Sequence, residues 1–556
     1  MRRFGLLALS VCALAACQEQ PVEQVEALPQ TQRTLAQGTV VGFGTEQGAH
    51  SWRAIPYAAA PEGDLRWRAP RPPSAFDGTF EALEFGPRCP QVTNALDEGE
   101  GLEAGLLIGD ENCLTLDVYA PPDAAERGDL PVMVWIHGGG NTWGRSSAYN
   151  GSQLALDRDV IIVAIQYRLG PLGWFAHPAL RDAAQTEADT AASFALQDMI
   201  AALEWVQANG AAFGGDTDRV TIFGESAGGH NVAALLASPP ARGLFHRAII
   251  ESGIVWSTPL PVAEEGDAYT PHGAIEIVDG ILGAEADAEA IRSMGLGDLF
   301  EAYGIDGDPP RMIEDGVVLP EGGIRAAAST PGGMAEVPVI TGSNRDEMKL
   351  YRALDPQFVN RLSLLIWPKD ADVYEASVEY PSRYWRALAV DGLANRLIAA
   401  GHEEVWAYRF DWDEGGSLLV TDTGRLFGAA HSMEIPFVFN HFDFYGRLDA
   451  LLFTNGNAAG RDALANAMGE AWGRFAHTGA PTSNWTRWQS GGALMRFDTP
   501  EGGGPEMITG EETLEGILDD LAEDPRLDAQ TRCWIADALI EWEPSRADIV
   551  TTRIPC

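Results

Sequence analysis

Short runs of nearly continuous apolar residues alternate along this chain with stretches in which apolar positions recur every three or four residues. Val132–Ile136, Val160–Tyr167, Val220–Phe223, Ala248–Ile250, Val337–Thr341 and Val405–Phe410 are the clearest runs of the first kind. A strand apolar at successive positions is a strand covered on both faces, as in a parallel sheet sandwiched between helices. Leu196–Asn209 and Val232–Leu236 are of the second kind and predict helices. Together they predict an α/β fold with a central, mostly parallel sheet flanked by helices. Residues 255–330 and 350–400 predict large helical and loop insertions, which at a sheet's edge shape a pocket. Neither a repeat nor an inner low-complexity linker interrupts the body, so residues 38–556 are expected to form one domain.

The first residues follow another pattern. Arg2-Arg3 precedes an apolar run from Phe4 to Ala16, broken only by Ser10. That run is too short for a membrane-spanning helix, which needs about 20 residues, and predicts a secretory signal over 1–16. Leu14-Ala15-Ala16-Cys17 resembles a bacterial lipobox, in which the cysteine becomes the lipidated first residue. The plainer alternative is an ordinary signal cut at an A-x-A-like site. Residues 17–37, rich in Gln, Glu and Pro at their start, are expected to be a tether. Export changes how the cysteines are read. Cys89, Cys113, Cys533 and Cys556 remain in the body, and an even number in an exported chain predicts two disulfides. Of three pairings, the nearest-neighbour one closes loops of about two dozen residues, each contributing about 3 kcal/mol.

Composition narrows the partners. Of 556 residues, 80 are Asp or Glu and 38 are Lys or Arg, a net charge of −42. Only Lys349 and Lys369 are lysines. So acidic a surface repels phosphate backbones and anionic headgroups, which argues against nucleic acid and leaves a lipid at Cys17 as the expected membrane contact. A hydrophobic share of 46% excludes wholesale disorder.

The candidate chemistry centres on Val220-Thr221-Ile222-Phe223-Gly224-Glu225-Ser226-Ala227-Gly228, in which a strand runs into Gly-x-Ser-x-Gly and a helix follows. That context suits a nucleophile elbow, a sharp turn that exposes the serine above the sheet. With 61 glycines in the chain the five-residue pattern is weak alone. Upstream, however, Val132–Ile136 ends in His137-Gly138-Gly139-Gly140, a glycine loop whose amides can share an anionic oxygen with the N–H of Ala227. A serine nucleophile needs a base, and the base an orienting carboxylate. Of ten histidines, His431 lies in a loop after strand Val405–Phe410, whereas His402 precedes that strand and His477 lies late in a helix. After Val337–Thr341, Asp346 and Glu347 both stand where the acid is needed.

These segments, with Ile55-Pro56-Tyr57-Ala58, Glu111-Asn112-Cys113-Leu114, Phe213-Gly214-Gly215-Asp216 and Trp472-Gly473-Arg474-Phe475, resemble the type-B carboxylesterase/cholinesterase family of α/β hydrolases over nearly the whole body. The resemblance implies the α/β-hydrolase fold and a serine esterase of small-molecule esters that needs no cofactor. It selects Glu347 as the acid and His431 as the base beside Ser226. It also implies Gly139, Gly140 and Ala227 as oxyanion donors, and a Cys89–Cys113 disulfide. Some positions depart from the family's pattern: Asn112 stands for the usual Asp, Met348 for the Gly after the acid, and Glu251 for a frequent Gln. Gly229-His230-Asn231 replaces small residues after the elbow, with His230 either lining the pocket or satisfied on the helix. Trp143 and Trp256 are either pocket walls or core aromatics. Two other functions fit the same resemblance: a non-catalytic, cholinesterase-like surface binding or adhesion protein, which usually lacks a triad member, and an amidase on the same triad.

Overall fold

A computed structural model of the chain describes residues 25–94, 97, 101–267, 273–304, 312–362 and 365–556. The expected signal, residues 1–16, and Cys17 lie outside the described residues.

The core is one eleven-stranded sheet. In chain order its strands are β1 (Phe43–Gly44), β2 (His50–Pro56), β3 (Thr115–Ala120), β4 (Leu130–Ile136), β5 (Ile161–Ile165), β6 (Gly215–Glu225), β7 (Arg247–Glu251), β8 (Val339–Asn344), β9 (Val405–Phe410), β10 (Ala493–Phe497) and β11 (Glu506–Thr509). Their order across the sheet is β11-β10-β9-β8-β7-β6-β4-β5-β3-β2-β1. From β5 through β10 every neighbouring pair is parallel. The flanks are antiparallel: β11 on one side, and β3, β2 and β1 on the other. This is the expected α/β-hydrolase architecture, with each of the six predicted strands inside the parallel block.

The apolar runs are buried on both faces. Val132, Val134 and Ile136 of β4 enter one core cluster, and Met133 and Trp135 enter another on the opposite face. Helices α1 (Phe194–Asn209) and α2 (Ala227–Ala237) cover the first face with Leu196, Leu203, Val232 and Leu235. Helix α3 (Ala458–Thr478) covers the second with Met468, Trp472 and Phe475. Each buried leucine-sized side chain contributes about 2 kcal/mol to holding these layers on the sheet.

Packing begins ahead of the expected tether end at residue 37. Thr31 is fully buried and its hydroxyl accepts from Gly42 N at 2.8 Å. Arg33–Leu35 pairs antiparallel with Gly38–Val41. The apolar side chain of Leu35 and the buried Thr31 recruit this segment into the fold, so the body starts near residue 29. Both disulfides have the nearest-neighbour pairing, Cys89–Cys113 and Cys533–Cys556. Among the described residues, no helix is long and apolar enough to cross a membrane.

Candidate active site

Parallel strands point their carboxyl ends to one edge of a sheet, and that edge collects the functional loops of an α/β fold. Here β4 ends at Ile136 and delivers the glycine loop, β6 ends at Glu225 and delivers Ser226, and β8 ends at Asn344 ahead of Glu347. The structure therefore gathers on one edge residues far apart in sequence.

Ser226 has φ 60° and ψ −123°, a conformation L-residues rarely adopt, which the surroundings must enforce. Its N–H donates to Glu251 O at 2.8 Å, tying the turn to the end of β7. The turn packs so closely on β4 that a Cβ on Gly228 would lie 2.0 Å from Ile136 O, so only glycine fits. The strain aims the hydroxyl at His431, whose Nε2 lies 2.8 Å from Ser226 Oγ. Nδ1 of the same ring lies 2.6 Å from Glu347 Oε2. Glu347 is fully buried, and its Oε1 accepts from Asn344 N at 2.7 Å, which fixes the carboxylate's orientation. Asp346, the other acid left open by spacing, faces away: its Oδ2 pairs with Arg345 at 2.9 Å and Lys349 at 3.0 Å. Met348 adopts a right-handed conformation, φ −73°, so the absent glycine costs the acid loop nothing.

The glycine loop lies over the serine, where a Cβ on Gly138 would come 3.1 Å from Ser226 Cβ. Gly138 O accepts from His137 Nδ1 at 2.9 Å, and Gly139 O accepts from Thr142 N and Trp143 N at 3.0 and 3.1 Å. In a trans peptide the N–H points opposite to its carbonyl, so these bonds turn the N–H groups of Gly139 and Gly140 to the other side. Among the described residues those two N–H groups and that of Ala227 meet no acceptor. Ala227 opens α2, whose first amides are unpaired and carry the positive end of the helix dipole. Three unpaired donors beside a serine hydroxyl suit a developing oxyanion.

Four buried glutamates set the electrostatics. Burial pushes the His431 pKa down, but Glu225, then Glu347, attract the imidazolium and raise it to about 9. Glu225 Oε1 lies 3.3 Å from His431 Nε2. Burial also pushes the Glu225 carboxyl well above the carboxylate range. Burial and Glu347 raise Glu434 to about 7, and burial and Glu434 raise Glu251 to about 8.

The remaining expected residues divide. His230 is buried, and its Nε2 bonds Trp256 O at 2.6 Å, which binds the second turn of the elbow helix to the following insertion. Trp143 and Trp256 are half-buried. His477 bonds Arg158 O, away from the triad. Trp385, inside the expected insertion at 350–400, packs against His431 with ring centroids 4.8 Å apart and ring planes tilted by 50°, and Tyr351 lies at 5.8 Å. No sequence signal marked Trp385, because only the folded insertion brings it to the histidine. Glu434 carried a signal, standing three residues beyond His431.

The comparisons with known proteins agree with this geometry. Over 441 residues the chain is 34% identical to the para-nitrobenzyl esterase of Bacillus subtilis (strain 168), covering 74% of this chain and 83% of that one. It is 37% identical over 322 residues to the cocaine esterase of Oryctolagus cuniculus, covering 56% and 58%. The solved Geobacillus stearothermophilus carboxylesterase superposes with a TM-score of 0.66 at 29% identity, covering 86% of this chain and 98% of that one. With the model of the carboxylesterase family also matching residues 29–363, this chain belongs to that family.

Proposed function

We propose that the chain hydrolyses carboxylic esters with Ser226 as nucleophile, His431 as general base and acid, and Glu347 as the carboxylate that orients and stabilises the imidazolium. The observation that carries the reading is the unbroken line from Ser226 Oγ through His431 to Glu347, at 2.8 and 2.6 Å. Ser226 Oγ attacks the ester carbonyl carbon while His431 Nε2 takes the hydroxyl proton. The N–H groups of Gly139, Gly140 and Ala227 receive the negative oxygen, each worth roughly 3–4 kcal/mol of transition-state stabilisation. The tetrahedral intermediate collapses, the alcohol leaves with the proton from His431, and a water activated by the same ring releases the acid. Trp385, packed against His431, favours esters with an apolar group on that side.

The test compares hydrolysis of a short-chain nitrophenyl ester by the wild type and Ser226→Ala. Loss of turnover by several orders of magnitude is expected, and equal rates would refute the assignment. Export with a lipid on Cys17 belongs to the same proposal. It is supported by the leader's pattern and by two disulfides, which persist in oxidising compartments. Cys17→Ser should release the enzyme from the membrane fraction of expressing cells.

A further inference from the structure

Asn141, next to the glycine loop, and Asn231, on the elbow helix, meet each other in space. Gly139, Gly140 and Asn141 have positive φ in succession, 96°, 60° and 60°. Asparagine tolerates that region better than most L-residues, but three such residues in a row have little backbone preference to hold them. Asn141 supplies the hold. Its backbone carbonyl accepts from Gly170 N at 2.7 Å. Its Oδ1 accepts from Asn231 Nδ2 at 3.0 Å, and its Nδ2 donates to Asn231 Oδ1 at 3.3 Å. Both side chains are buried, at 1% and 0% exposure. Tyr167 Oη also lies 3.5 Å from Asn141 Oδ1, but its proton goes to His137 O at 2.6 Å, which steadies the loop's other end.

Asn231 sits on α2, the helix whose first amide belongs to Ala227. The paired amides thus join the loop carrying two oxyanion donors to the helix carrying the third. A buried amide that loses its partner is left unsatisfied, so neither side chain can be removed without disturbing the other.

We infer that the Asn141–Asn231 pair positions the oxyanion hole, fixing the Gly139 and Gly140 N–H groups relative to that of Ala227. Both are positioning residues that act through those amides. The inference rests on the esterase reading above. It is tested with Asn231→Ala, with Asn141→Gly, which keeps the positive φ, and with the double variant. Rates are expressed per site titrated with a fluorophosphonate, so an unfolded fraction does not count. Each single variant should lose about 10-fold or more in kcat, with KM within about twofold, less than the loss of a whole donor. Affinity for a trifluoromethyl ketone, whose adduct places an oxyanion in the hole, should weaken by the same factor. The double variant should be no slower than the slower single one. Unchanged kcat per site in both singles, a loss confined to KM with unaltered inhibitor affinity, or additive losses would each overturn the inference. Ser226→Ala separates the two readings. If it still hydrolyses ester the esterase reading fails, whereas if it is inactive and the asparagine variants match wild type only the positioning role fails.

Discussion

Glu251 puts a carboxyl group where a neutral amide would suffice. Its Oε1 accepts from Trp472 Nε1 at 2.8 Å, and its Oε2 meets no hydrogen-bond partner among the described residues. Burial, then Glu434, pushes its pKa up to about 8. Unfolded, the group ionises near the usual 4.5. A raised carboxyl pKa means that the folded state binds the extra proton. This contribution is therefore fully present below about pH 4.5 and is lost as pH rises towards 8. Glu251→Gln keeps the acceptor for Trp472 and removes the ionisation. The variant should match wild type near pH 5 and exceed it at pH 8 by on the order of 3 kcal/mol. Urea midpoints at the two pH values measure this, and an equal wild-type advantage at both would contradict it. The hydrogen-bonded line from Ser226 through His431 to Glu347 was legible at this scale: Ser226 and His431 followed from strand ends, and the resemblance chose Glu347 over Asp346. The carboxyls around His431 were not, because neither burial nor a shared proton can be read from residue order.

At the scale of elements, the C-terminal helices bear on the histidine from behind. Leu514–Glu523, Ala529–Trp542 and Ala547–Arg553 pack together, and the Trp542 ring lies 5.5 Å from Trp385, which in turn packs against His431. Glu543 anchors the junction by accepting from Arg325 Nη1 and Tyr384 Oη, both at 2.6 Å. The Cys533–Cys556 bridge closes this unit with a sequence separation of 23. Chain entropy assigns such a loop about 3 kcal/mol. Cys533→Ser with Cys556→Ser should lower unfolding stability by about that amount. It should leave kcat on a small ester unchanged, since Glu543 still holds Trp542 against Trp385. Denaturant midpoints and kcat measured together check both halves; an unchanged midpoint or a collapsed kcat defeats the expectation. The central strands were legible because burial on both faces demands uninterrupted apolar residues. β2, β3, β10 and β11 were not, since residues such as Arg53, Asp117 and Arg496 interrupt their pattern. Thr31 and Leu35 were likewise absorbed into a Gln- and Pro-rich segment whose packing only the partner strand reveals.

The charge acts on the whole molecule, and the fold decides which part of it matters outside. Many arginines are committed to carboxylates, as in the buried Arg168–Asp198 pair at 2.6 Å and the Arg71–Asp189 pair at 2.8 Å. Glu251, pushed up by burial to about 8, keeps its proton at neutral pH and adds little to the field. The net of −42 is consequently carried mainly by carboxylates on the surface. Such a field raises the local concentration of cations and lowers that of anions at the site before any contact is made. Salt cancels it: the screening length falls from about 30 Å at 0.01 M to about 10 Å at 0.1 M. Two esters with one acyl group, one with a trimethylammonium alcohol and one with a carboxylate alcohol, separate field from pocket. Between those salt concentrations kcat/KM should fall several-fold for the cationic ester and rise for the anionic one, while a neutral ester stays level. Parallel slopes for all three would show that the surface charge does not reach the site, and that any charge preference arises within the pocket itself.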